Sequence, residues 1–111
     1  MKYMLLVCAD GVPDPVADRE IEERIGPWIE EMDRRGVRLE GHPLQSVENA
    51  TTVRVRDGEV VLTDGPFAET KEFIAGYDVL ECADLDEAIE VAAKHPVAKY
   101  GTIEVRPFMD S

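Results

Sequence analysis

The chain has 111 residues, enough for one modest hydrophobic core and too few for two, and residues 1–111 read as a single domain. Hydrophobic residues make up 44% and charged residues 32%, the balance of a globular chain rather than a disordered one. Against 12 Lys plus Arg stand 24 Asp plus Glu; the resulting net charge of −12 repels phosphate backbones and anionic bilayers, and argues against nucleic-acid and membrane partners.

Residues 2–9 are an unbroken apolar strand, with Tyr3, Leu5 and Val7 pointing one way and Met4, Leu6 and Cys8 the other, so both faces call for burial. The run stops at Asp10, too short to span a bilayer and without the small-residue cleavage pattern of a secretory signal. A cytoplasmic location is the expectation. Gly11 to Pro15 is a loop of chain breakers. From Asp18 the spacing turns helical, with Ile21, Ile25, Trp28 and Met32 on one stripe. Gly26-Pro27 lies inside that stretch and predicts a kink, or a short helix followed by a longer one; Gly36 ends it. Val37 to Leu44 is a second strand. Thr52 to Arg56 and Glu59 to Thr63 form a hairpin around Asp57-Gly58, which sets Val55 opposite Val60, Val53 opposite Leu62 and Arg56 opposite Glu59. Asp64 to Glu72 is an irregular connection, and Phe73 to Cys82 a further strand. Asp84 with Glu87 makes a capping box for a second helix, with Leu85, Ala88, Ile89 and Ala92 inward, stopped by His95-Pro96. In the last strand, Thr102 to Arg106, Ile103 and Val105 point in while Glu104 and Arg106 point out.

Removing the hairpin from this order leaves an α+β, ferredoxin-like βαββαβ fold with an inserted β-hairpin. Two helices cover one face of such a sheet. Because the first strand is apolar on both sides, a second copy of the sheet is the economical cover for the other face, and a homodimer is expected. The first and third core strands should neighbour each other antiparallel, which puts Cys8 and Cys82 at opposite edges, too remote for a disulfide. Free thiols suit a reducing compartment.

The most unusual segment runs from Thr63 through Asp64-Gly65-Pro66-Phe67 to Glu72. Asp-Gly-Pro is a tight-turn signature, and Phe67 reads as a plug aimed at the core. Asp64, Lys71 and Glu72 either rim a pocket as acid or base candidates, or form a structural turn with solvent-exposed ion pairs. His95, at the end of a helix, is either a fourth catalytic candidate or a cation stabilised by the helix dipole. His42, in a bend of the second strand, Tyr77 and Arg106 join Phe67 as candidate substrate-binding groups. Arg38 beside Glu40 and Arg106 beside Glu104 could orient an anionic ligand or form cross-strand ion pairs. The two histidines are far apart in sequence, no cluster has metal-ligand spacing, and no phosphate loop, nucleophile elbow or dinucleotide fingerprint occurs, so neither metal nor cofactor is expected.

The run Ala50 to Gly58, the segment Thr63-Asp64-Gly65-Pro66-Phe67-Ala68-Glu69-Thr70-Lys71-Glu72, the pair Gly76-Tyr77, and His95-Pro96-Val97-Ala98 with Gly101 to Pro107 together resemble the YCII-related proteins of the DGPF type. The resemblance spans nearly the whole chain and implies the dimeric α/β-barrel variant of the ferredoxin-like fold. YciI-like relatives are proposed to use a His–Asp pair in a pocket between the sheet and the dimer mate. Their aspartate precedes a proline after the second helix, where this chain has His95-Pro96. Their histidine comes from the first helix around Ile25, where this chain has none. What the resemblance implies is a small-molecule site in the dimer cleft, as in a cofactor-independent lyase or isomerase. The alternative it implies is a non-catalytic ligand-sensing or regulatory module associated with an extracytoplasmic-function sigma factor.

Overall fold

A computed structural model describes residues 1–66 and 72–109. Its elements follow the order read from the sequence: β1 (Lys2–Ala9), α1 (Pro15–Arg34), β2 (Arg38–Pro43), β3 (Thr51–Arg56), β4 (Glu59–Asp64), β5 (Phe73–Glu81), α2 (Leu85–Ala93) and β6 (Thr102–Pro107). Four strands pair antiparallel in the order β2-β5-β1-β6, the ferredoxin-like arrangement, while β3 and β4 form a sheet of their own.

The side-chain alternation of β1 decides which face is which. Tyr3, Leu5 and Val7 are buried beneath the helices, whereas Met4, Leu6 and Cys8 on the other face are only half-covered. Trp28 and Met32 from α1 and Ala88, Val91 and Ala92 from α2 close over Tyr3, Leu5, Leu80 and Cys82. The inner face of α2 differs from the expected stripe. Leu85 and Ile89 stay about half exposed and Val91 takes the fully buried position, because the helix is rotated toward α1 and Trp28.

Helix α1 is continuous across Pro27, not divided there. Proline removes one backbone donor and the bond it would make to the preceding turn. The apolar stripe continues past it, however, and burial of Trp28 and Met32 holds the following turns on the same core. Asp14 caps the start, accepting from the Ala17 N–H at 3.2 Å, with Pro15 in the first turn, where its missing donor is harmless. At the start of α2, Asp84 accepts from the Glu87 N–H at 2.9 Å, while the Glu87 carboxylate reaches back to the Ala83 N–H at 2.9 Å.

The hairpin has the predicted register, Val55 with Val60, Val53 with Leu62 and Arg56 with Glu59, around Asp57 and Gly58 at φ of 53° and 77°. Two consecutive positive φ values are the signature of the type I′ turn, which only small or Asx residues adopt cheaply. The hairpin stands away from the main sheet, and Val53, Val55, Val60 and Leu62 are all exposed. Cys8 pairs with Ile74 at one end of β5 and Cys82 follows its other end, so the two thiols are far apart and free. No helix among the described residues is long and apolar enough to cross a membrane.

Candidate functional site

Between α1 and the upper half of the sheet lies a half-open cavity of about 360 Å³, within the range of small-molecule sites. Its walls are hydrocarbon: Ile21, Ile25 and Ile29 from successive turns of α1, Val7 from β1, Ala75 from β5 and Val97 from the segment after α2. Two buried polar side chains open into it, His95 and Asp78, at 4% and 6% exposure.

His95 is positioned by a proline. It leaves α2 in an extended conformation, and Pro96 cannot donate a backbone hydrogen bond, so the Val97 N–H is the first donor of the following 3₁₀ turn. That N–H donates to His95 Nδ1 at 3.1 Å. A ring nitrogen that accepts carries no proton, so the neutral imidazole bears its hydrogen on Nε2. No hydrogen-bond partner for Nε2 occurs among the described residues, and no side-chain polar atom among them is sealed off without one. Nε2 therefore fronts the open space of the cavity. Burial lowers the imidazole pKa from the ordinary 6.5, and the negative charge of Asp78 offsets this only in part. The helix-terminus cation anticipated for His95 gives way to a buried neutral ring, because desolvation outweighs the dipole.

Asp78 is held from below. It lies on β5 beside Leu5 of β1 and Gly41 of β2, on the helix-covered face. Arg38 donates through Nε to Asp78 Oδ1 at 2.9 Å, through Nη1 to Asp33 Oδ1 at 3.3 Å and through Nη2 to the Gly41 carbonyl at 3.1 Å. Burial opposes the charge of Arg38, but the bonds to Asp78 and then Asp33 win and raise its pKa. Gly41 makes the pair possible. A Cβ there would overlap Asp78 Oδ1 and sit 2.6 Å from Arg38 Nη2. A register irregularity between Arg38 and Glu40 turns Arg38 toward the carboxylate. The cavity thus offers one neutral N–H donor, one carboxylate fixed by an arginine, and apolar walls.

The YCII-related domain model matches residues 1–111. The chain belongs to the YCII-related family. It is also similar to an uncharacterized protein of Rhizobium meliloti (strain 1021), 47% identical over 115 residues that cover 96% of this chain and 91% of that protein.

In this YCII-related chain one of the sequence-derived candidates, His95, turns its side chain into the cavity; His42 and Tyr77, with rings 5.9 Å apart, border it from the strand edge but alternate onto the open face, Tyr77 opposite Leu6. The others lie elsewhere. Asp64 ends β4 opposite Thr51, on the exposed hairpin. Glu72 accepts from Thr102 Oγ1 at 3.2 Å, outside the cavity. Arg106 sits on the open face of β6, opposite Met4, in an ion pair with Glu104. Lys71 and Phe67 fall outside the described residues. The cavity is on the helix-covered side of the sheet, not on the open face that a dimer mate would cover. Sequence reasoning offered Arg38, beside Glu40, as an anion-orienting or ion-paired strand residue and did not connect it with Asp78. They are 40 positions apart, and only the β2–β5 register brings them together. Among the described residues no three His, Cys, Asp or Glu side chains are grouped so as to hold a metal ion.

Proposed function

We propose that this YCII-related protein binds a small organic molecule in the cavity under α1 and handles it by acid–base chemistry, in the manner of a cofactor-independent isomerase or lyase. The observation that carries the reading is His95, which is 4% exposed, fixed in one tautomer by the Val97 N–H, and free at Nε2 on the same cavity as Asp78. Nε2–H donates to a carbonyl oxygen of the substrate. The Asp78 carboxylate takes a proton from the adjacent carbon, and the negative charge moves onto that oxygen. Where that carbon lies between the carbonyl and a C=C bond, return of the proton to the far carbon of the conjugated enolate moves the double bond next to the carbonyl and completes an isomerisation with no other reactant. A preorganised donor aimed at a developing oxyanion beside apolar walls is worth more than the same donor in water.

Proton exchange in D₂O tests this. A panel of cyclic ketones, lactones and oxo-acids is incubated with the protein and followed by NMR for loss of the proton next to the carbonyl. At least one compound should exchange with enzyme-dependent rate, and Asp78→Asn and His95→Gln should each slow it by about 10²-fold or more. Acceleration that survives both substitutions removes the pair from the chemistry.

We propose also that the chain assembles as the homodimer expected from the two-sided apolar β1 and from the family resemblance, a reading its surface supports. A folded monomer of this mass exposes about 6,100 Å² and has a radius of gyration of about 13 Å. The chain exposes 7848 Å², has a radius of gyration of 15.9 Å and is only 18 Å thick against 48 and 40 Å in the other directions. The excess matches what one subunit of a permanent dimer buries. Met4, Leu39, Tyr77 and Phe108 on the open sheet face, and the apolar side of the hairpin, are the surfaces available for a second copy. Sedimentation equilibrium at micromolar concentration should give twice 12.4 kDa; a 12.4 kDa particle would overturn the assembly.

A further inference from the structure

We infer that the cavity under α1 selects an uncharged ligand, a largely apolar molecule presenting one carbonyl-type acceptor, and rejects carboxylates and phosphates of the same size. This rests on the small-molecule reading above and narrows it by charge.

Arg38 is the cation at the cavity floor, and each of its three nitrogens donates one hydrogen bond, to Asp78, Asp33 and the Gly41 carbonyl. Three of its five N–H groups are committed in this way and its charge is set against two carboxylates, so an entering anion meets a cation that is already paired. His95 accepts an N–H at Nδ1, so it stands neutral and offers a single hydrogen rather than a positive charge. Arg38 and Asp78 are the two formal charges on the lining, and they are paired at 2.9 Å. An anionic ligand finds no unpaired cation there and would give up hydration among the Ile21, Ile25 and Ile29 side chains beside the Asp78 carboxylate. The surrounding field has the same sign, since the whole chain carries −12. A cationic ligand gains little in exchange. Arg38 already neutralises Asp78, and hydrocarbon walls do not repay the loss of an ammonium's hydration. What the walls, the one donor and the one acceptor reward is a neutral body with a carbonyl toward His95 Nε2 and an acidic C–H, N–H or O–H toward Asp78.

The test uses three probes with one ring and three charges: cyclohexanone, cyclohexanecarboxylate and cyclohexylammonium. Each is titrated into the full chain, with the His95 ring resonances and Trp28 fluorescence as readouts. Cyclohexanone should shift both signals and bind at least about tenfold tighter than either ion. In Asp78→Asn the carboxylate that pairs Arg38 is gone, so cyclohexanecarboxylate should gain at least about tenfold relative to cyclohexanone. Carboxylate binding at His95 as tight as the ketone's in the unmodified chain overturns the charge selection and leaves the small-molecule site standing. If none of the three probes moves His95 or Trp28 at millimolar concentration, the site itself is wrong and the selection falls with it. Should Asp78→Asn fail to fold, the ranking of the three probes in the unmodified chain decides alone.

Discussion

The Trp28 and His95 rings meet edge to face, centroids 4.6 Å apart at 62°, beneath the cavity. The same indole donates through Nε1 to the Val91 carbonyl at 3.1 Å. Val91 is in the last turn of α2, where carbonyls have no partner within the helix, so Trp28 satisfies a group the helix leaves open while bracing the imidazole. One side chain of α1 therefore fixes both the end of α2 and the histidine that follows it.

Trp28→Phe should keep most of the buried ring and lose the donor. A buried carbonyl left without its partner costs about 1–3 kcal/mol, and the edge contact with His95 weakens as well. Thermal unfolding should show a midpoint several degrees lower, and the His95 ring resonances should broaden or move. An unchanged midpoint would mean that Val91 finds another donor.

His95 makes stability depend on pH in a defined direction. Unfolded, its imidazole takes up a proton near 6.5; folded, burial lowers that value and Asp78 restores only part of it. Between the folded value and 6.5 the unfolded chain holds the extra proton, so stability falls as pH drops through this window, and the contribution is complete above it. The slope from one group is at most about 1.4 kcal/mol per pH unit. Denaturant titrations across mildly acidic pH should show the decline, and His95→Gln should flatten it. A His95 resonance that titrates above 6.5 would contradict the burial argument.

Gly41→Ala probes the floor of the cavity. The new methyl would overlap Asp78 Oδ1, and both Asp78 and Arg38 are anchored on sheet strands, so neither can yield cheaply. The expected cost is about 1–3 kcal/mol, the usual range for overpacking, together with loss of ligand binding. The companion Gly58→Ala changes only a solvent-facing turn at φ 77° and should destabilise without altering the cavity. Equal binding in Gly41→Ala and the unmodified chain would show that the Arg38–Asp78 pair is dispensable.

Most of the architecture was legible because it depends on local rules. The double-sided apolar run of β1, the Asp57-Gly58 turn and the Asp84/Glu87 capping box each constrain backbone geometry within a few residues. Two local readings failed for tertiary reasons. The division into two helices offered as one reading of Pro27 does not occur, since burial of Trp28 and Met32 carries the helix on, and Ile89 stays exposed because α2 turns Val91 inward. The site was half legible. His95 was singled out and lies on the cavity, whereas Asp64 and Glu72, at the two ends of the charged loop, do not line it. Arg38, Gly41 and Asp78 form a unit only across β2 and β5, and no spacing along the chain announces a contact set by strand register and a bulge. The mixed-charge signal in the loop was real, but charge in sequence does not say whether a group ends in water or under a helix.

The hairpin offers a test of assembly that spares the core. Val55 and Val60 face each other across β3 and β4 and are 59% and 66% exposed, so replacing both with glutamate leaves the core untouched and costs, within one chain, only their own cross-strand pair. A lone hairpin with an apolar side is a liability in water unless something covers it. If a second copy does, the Val55→Glu/Val60→Glu chain should dissociate at least about tenfold more readily, because desolvated carboxylates at a subunit contact oppose association. Analytical ultracentrifugation over a dilution series reads this directly. Circular dichroism of the diluted variant should match that of the diluted parent, which separates a lost interface from a lost fold. Identical dissociation constants for the two chains would place the hairpin outside the contact, leaving the open sheet face of Met4 and Tyr77 to account for any dimer on its own.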